Sequence, residues 1–126
     1  MKVLVVDDHL TFRRSLSEFL QSLAGIEVVG EAANGKEAVE QTAELHPDLV
    51  LMDVSMPTMG GYDATKIIKD RHPDTRVVIL SSHSGEVYRS AARESHADGY
   101  IEKASMKMAL VSLLESAPSQ PVRIAI

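Results

Sequence analysis

Two hydrophobic rhythms alternate along the 126 residues. Short apolar runs stop abruptly on acids or serines, and between them apolar positions recur at helical spacing. The first run, Lys2-Val3-Leu4-Val5-Val6, ends at Asp7-Asp8. It lacks in-out alternation, which predicts a central strand covered on both faces. From Thr11 the period changes, with Phe12, Leu16, Phe19, Leu20 and Leu23 on one stripe and Gly25 closing a first helix. Residues 27–32 form a short, mixed strand suited to a sheet edge. Asn34 with Glu37 three positions on predicts a capped helix carrying Ala38, Val39, Thr42 and Leu45 inward. That helix closes at His46, because the residue before Pro47 is pushed out of helical geometry.

The strand at 48–53, apolar through its middle, delivers Asp53 to a loop marked by Met56-Pro57 and Gly60-Gly61. A third helix follows, with Tyr62, Ala64, Ile67 and Ile68 toward the sheet, and His72-Pro73 ends it. Residues 75–80 read as a strand stopping on Ser81-Ser82. A fourth helix, capped by Ser84 and running to Ser95, has a thin face of Val87, Tyr88, Ala91 and Ala92, which implies weak docking. A brief strand at 97–101 leads through Glu102-Lys103-Ala104 into a last helix, with Ser105 as candidate cap and Met106, Leu110, Leu113 and Leu114 inward. Residues 118–126 are expected to be a tail or linker stub.

Five strands alternating with five helices over short connections imply one doubly wound parallel α/β domain, placed at residues 1–117. In such folds the ligand site lies beyond the carboxyl ends of the strands, where strand order reverses. That rule gathers Asp7 and Asp8 after the first strand, Asp53 after the third, Ser81 after the fourth and Lys103 after the fifth. Composition narrows the chemistry. A formal charge of −5 without a Lys/Arg cluster argues against a nucleic-acid footprint in this chain. The absence of cysteine excludes disulfides, thiolate metal sites and thiol nucleophiles. No apolar stretch approaches the length of a membrane span, and we expect a soluble, cytoplasmic protein.

Singly, an acid at a strand end serves as well as a cap or a salt-bridge partner, a lysine there is usually solvated, and a serine usually caps a turn. Three converging carboxylates are another matter: they repel one another unless a hard divalent cation sits among them. Asp53 alone is expected to follow a fully buried strand, so it is the most rigidly aimed, and its oxygen is a competent nucleophile toward phosphorus. A phosphoryl group there would need cationic help, which Lys103 can give, together with the Ser81 hydroxyl and the amides of Val54 and Ser82. The peptide oxygen of Ser55 is a further candidate metal ligand.

The set Asp7-Asp8-His9, the strand ending on Asp53, Met56-Pro57-Thr58-Met59-Gly60-Gly61, Ser81-Ser82 and Gly99-Tyr100-Ile101-Glu102-Lys103 resembles the receiver domain of bacterial two-component response regulators. The resemblance covers nearly the whole chain. It implies a flavodoxin/CheY-like (βα)5 fold with sheet order 2-1-3-4-5, and a phosphoryl group accepted on Asp53 from a sensor histidine kinase or phosphotransfer protein. It implies Mg2+, with Mn2+ as a substitute, on Asp8, Asp53 and the Ser55 carbonyl, with Asp7 holding a metal-bound water. Ser81 and Lys103 would contact the phosphoryl oxygens, and water would remove the group by in-line attack. Tyr100 matches the family's switch aromatic, which moves inward when the Ser81 hydroxyl turns toward the phosphoryl group. A fixed, half-buried tyrosine is the plainer alternative.

The Asp-Asp-His opening resembles the subgroup that usually carries a C-terminal helix-turn-helix, absent here, so DNA contact would need an output domain outside this chain. A truncated transcription regulator is the expectation, ahead of a single-domain regulator, with phosphorylation-dependent homodimerisation as a further expectation. One departure is Ala104, where the family commonly has proline, often after a cis bond. His9 reads as a surface residue, His83 as a neighbour able to affect water access or donor preference, and His46, His72 and His96 as helix-end residues. Rival readings are a phosphorylation-independent adaptor or dimerisation module of the same fold and a nucleotide or flavin binder. The latter lacks the glycine-rich first turn. A haloacid-dehalogenase-like phosphatase would need its general acid where Ser55 stands.

Overall fold

The computed structural model of the chain describes residues 1–54 and 56–115. The expected boundary at 117 and the tail at 118–126 lie outside the described residues. Strands β1 (Lys2–Val6), β2 (Glu27–Ala32), β3 (Leu49–Asp53), β4 (Arg76–Ser81) and β5 (Gly99–Glu102) alternate with helices α1 (Leu10–Gln21), α2 (Gly35–Leu45), α3 (Gly61–Arg71), α4 (Glu86–Glu94) and α5 (Met106–Glu115). One sheet results, in the order β2-β1-β3-β4-β5 with every pairing parallel, as the resemblance implied.

Alternate residues of the apolar runs supply two cores. Leu4, Val6, Val50, Met52, Val77 and Ile79 pack with Ala38 of α2, Ala64 and Ile68 of α3 and Ala92 of α4. On the other face Val3, Val5, Leu49, Leu51, Val78 and Leu80 meet Leu16 and Leu20 of α1 and Leu110 of α5. The central strands are therefore apolar on both faces because both faces carry helices.

Helix ends follow the local chemistry. Asn34 accepts the Glu37 amide at 2.9 Å while the Glu37 carboxylate takes the Ala33 amide at 3.2 Å, the reciprocal cap expected from the sequence. His46 leaves α2 in the left-handed region at φ 49°. Two expectations need correction. The fourth helix is capped by Gly85, not Ser84, because the chain turns there at φ 115°, which suits a residue without Cβ. Val87 is 79% exposed, not inward, so the docking of α4 rests on Ala92 with Tyr88 packed beside it. A 3-10 turn at Lys103–Ser105 leads directly into α5, with Ser105 the residue before its first turn. No helix among the described residues is long and apolar enough to cross a membrane.

Candidate functional site

The sheet order reverses between β1 and β3, and this is where the acids meet. Asp7 continues past β1, its amide donating to the Ala32 carbonyl at 3.0 Å, and its side chain is all but buried. Its Oδ1 accepts the His9 amide at 2.8 Å, and Arg13 donates to its carbonyl at 2.7 Å, so backbone and carboxylate are both fixed. Asp53 ends β3, 6% exposed. Lys103, the first residue beyond β5, reaches across 96 positions of sequence to place Nζ 2.9 Å from Asp7 Oδ2 and 3.1 Å from Asp53 Oδ1. Its ammonium also lies 4.3 Å from the centre of the Phe12 ring on α1. No cis peptide occurs among the described residues, so Ala104 lets the Lys103 turn run trans while the lysine still reaches the site.

Charge in this cleft is crowded. Burial pushes the Asp53 carboxyl above the ordinary carboxylate range and the Asp7 charge adds to it, while Lys103 and the Val54 amide pull it back without cancelling the rise. Lys103 is also raised: burial works against its charge, but the Asp7 hydrogen bond and the Asp53 and Asp7 carboxylates outweigh it. For Asp53 the linkage runs in one direction. Its contribution to stability is full below the ordinary carboxylate value and is lost as pH rises through the raised folded value, so at neutral pH its charge is a cost. Asp53→Asn in the presence of a chelator is therefore expected to raise stability, read as a higher melting temperature. An unchanged or lower melting temperature would show that Lys103 fully compensates the charge.

Ligand atoms of Asp7, Asp8, His9 and Asp53 lie within 4.8 Å of one another. Asp8 Oδ1 is buried without a hydrogen-bond partner, although His9 Nδ1 sits 3.1 Å away out of alignment. An orphaned carboxylate oxygen beside two further carboxylates is a donor set that suits a hard divalent cation. Ser55, expected to add its carbonyl, lies outside the described residues.

Ser81 ends β4 nearly buried, and its Oγ accepts the His83 amide at 3.0 Å, a turn bond of the kind common for serine. Tyr100 is inward, 2% exposed, and its hydroxyl donates to the His83 carbonyl at 2.6 Å. The His83 ring stacks on Tyr88 of α4 at 4.5 Å, and Tyr62 of α3 donates to the Tyr88 carbonyl at 3.0 Å. Burial beside Tyr100 and Tyr88 pushes the Tyr62 phenol up to about 12, so it stays a donor at any ordinary pH. Arg89 lies 5.0 Å over the Tyr100 ring and 3.4 Å from Glu102.

Three contributors were not legible as site residues beforehand: Phe12 under the lysine, the amide and ring of His9 on the acids, and Gly61. The first two follow from α1 starting at Leu10, with His9 as its cap directly after Asp8. Gly61 has a visible signal in the Gly-Gly pair, and its amide donates to the Val54 carbonyl at 3.0 Å. A Cβ at 61 would land on the Asp53 carbonyl oxygen.

The response regulator receiver domain family model matches residues 3–115. Response regulator protein VraR of Staphylococcus saprophyticus is 46% identical over 105 residues, 82% of this chain and 49% of that protein. Transcriptional regulatory protein YdfI of Bacillus subtilis is 39% identical over 116 residues, 92% of this chain and 54% of that one. A LuxR-family two-component response regulator from Aurantimonas sp. SI85-9A1 superposes with a TM-score of 0.90 at 32% identity, covering 98% of this chain and 88% of its own. The chain spans about half the length of the curated relatives it matches.

Proposed function

The chain belongs to the response regulator receiver domain family, and from that premise we propose that Asp53 accepts a phosphoryl group from the phosphohistidine of a sensor kinase or phosphotransfer protein. The observation that carries this is the Lys103 ammonium held between Asp7 and Asp53, 2.9 and 3.1 Å from them. In the transfer, an Asp53 oxygen bonds to phosphorus as the P–N bond to the donor imidazole breaks, its electron pair leaving on nitrogen. Lys103 stands where charge develops on the transferred oxygens. Asp7, Asp8 and Asp53 would hold Mg2+, or Mn2+ in its place, with the Ser55 carbonyl as a further ligand and Asp7 also positioning a bound water. When bound, the cation neutralises the incoming oxygens. In the reverse direction, water attacks phosphorus in line with the aspartyl oxygen and returns the free carboxylate.

Ser81 recognises the product by turning its hydroxyl from the His83 amide toward the phosphoryl group. Tyr100 hangs on the same residue through the His83 carbonyl, so both ends of this switch share one backbone segment. The thinly docked α4 is the element such a change would shift. In a parent protein of the relatives' length, this switch would govern transcription in the cytoplasm, through homodimerisation and a DNA-binding segment beyond this chain.

Mg2+ at 100 times its Kd should stabilise the folded chain by about 2.7 kcal/mol, read as a rise in melting temperature that disappears in Asp8→Asn. The function itself is tested by incubation with a small acyl phosphate and Mg2+, followed by intact mass. One added phosphoryl group is expected in the native chain and none in Asp53→Asn or with chelator. No uptake by the native chain would favour a phosphorylation-independent adaptor of the same fold.

A further inference from the structure

Away from the phosphoryl site, one short pattern occurs three times: His46-Pro47-Asp48, His72-Pro73-Asp74 and His96-Ala97-Asp98. Each leads from a helix end into the next strand, α2 to β3, α3 to β4 and α4 to β5. Those strands are neighbours, so the three turns stand side by side at the amino-terminal edge of the sheet, opposite Asp53. The aspartates of the first and third have structural duties. Asp48 accepts the Lys2 amide at 2.8 Å, and Asp98 accepts the Val77 amide at 2.8 Å and Lys69 at 3.0 Å. The rings of His46 and His72 make no hydrogen bond or ion pair to a described residue; they face each other edge to face, with centroids 6.3 Å apart and planes at 75°.

We propose that His46 and His72 form a two-imidazole site for a first-row divalent transition metal ion, zinc, nickel or copper in class, at the pole opposite Asp53. The spacing fits. A zinc–nitrogen bond of about 2.1 Å puts an imidazole centre about 3.2 Å from the ion, so two rings sharing one ion lie at most about 6.4 Å apart, and about 5.2 Å apart in tetrahedral geometry. The observed 6.3 Å is inside that reach, and because the rings stand edge to face, binding requires them to turn until both nitrogens meet the ion. The turns that carry the rings are tied together. Arg76 donates its amide to the Asp48 carbonyl at 3.1 Å, and the Thr75 hydroxyl donates to the Pro47 carbonyl at 3.4 Å. Each histidine amide is anchored to its helix, His46 to Thr42 at 3.1 Å and His72 to Ile68 at 2.7 Å. The rings are thus carried on rigid backbone, as a ligand pair requires.

A cleft of about 400 Å³ opens beside them, lined also by Asp48, Asp74 and Arg71. Asp74 is exposed on the same cleft, and water would complete the coordination of the two imidazoles. Imidazoles select this class of metal; the acids around Asp53 suit magnesium but have one imidazole, His9, beside them, so Asp8→Asn is needed to separate the two poles.

Zinc chloride, nickel chloride or copper chloride is titrated calorimetrically into the native chain, into Asp8→Asn, and into His46→Asn and His72→Gln. Asparagine at 46 keeps a residue that tolerates the left-handed backbone. The proposal expects saturable binding in the native chain, retained in Asp8→Asn. Loss of outer-shell partners alone costs a metal site about 10–100-fold in affinity, so each histidine substitution is expected to weaken binding at least tenfold. Binding that is absent, that survives both histidine substitutions, or that vanishes with Asp8→Asn overturns it. Copper electron paramagnetic resonance on the native chain gives a second readout independent of any variant's folding: coupling to two imidazole nitrogens supports the site, and an all-oxygen spectrum refutes it.

Discussion

Lys103→Ala should slow phosphoryl uptake by about 10²-fold, the effect of removing one fixed charge donor from a developing oxyanion, and should destabilise the chain as well. The substitution leaves the Asp7 and Asp53 carboxylates, 2% and 9% exposed, without the ammonium that faces both. Breaking a buried pair from one side costs about 3–5 kcal/mol. Protonation of Asp53, whose pKa is already raised, limits that loss. The melting temperature should fall by about 10 °C, and the fall should shrink as pH drops toward the carboxylate range. Lys103→Met, which keeps the stem over Phe12, separates packing from charge. It should recover part of the stability and none of the rate. Equal rates for the native and Lys103→Met chains would remove the lysine from the chemistry.

Gly61→Ala should be nearly as damaging, for a reason that involves no charge. Its Cβ would occupy the position of the Asp53 carbonyl oxygen, with the Met52 side chain close behind. Backbone cannot yield as a flexible side chain can, so either α3 retreats or the end of β3 shifts. A cost of about 2–3 kcal/mol is expected, together with slower uptake because the displaced residue is the acceptor. Gly60→Ala is the control. Its Cβ meets nothing closer than the Val54 carbonyl at 3.6 Å, and the change should stay within about 1 kcal/mol. Paired denaturant melts and phosphorylation rates distinguish the two positions, and equal effects would contradict the geometry.

Much of this was written in the sequence because the deciding forces are local or periodic. Apolar runs announced β1 as a two-faced strand and β3 and β4 as strands, and Asn34 with Glu37 announced the start of α2. The topological rule then placed Asp7, Asp8, Asp53 and Lys103 together without any contact being known. What could not be read is set by distance along the chain or by backbone conformation. The Lys103–Asp7 bond spans 96 positions, and no pattern in either segment specifies it. Lys103 consequently looked like a partner for the phosphoryl oxygens, yet in the structure it also neutralises Asp7. The start of α4 was misplaced because a glycine at positive φ capped it where a serine offered the usual side-chain signal. Val87 was grouped with Tyr88, but adjacent helix residues stand about 100° apart, and a stripe centred on Tyr88 and Ala92 leaves Val87 outside it.

The central claim is that Asp53 is the acceptor, and chemical mapping of the modified residue tests it most directly. The native chain is phosphorylated with a small acyl phosphate and Mg2+, reduced with borohydride, digested and sequenced by mass spectrometry. An aspartyl phosphate is converted to homoserine by this treatment, so the account predicts homoserine at position 53 and nowhere else. Homoserine at Asp7 or Asp8, or a borohydride-resistant phosphate on Ser81 or a histidine, would contradict it.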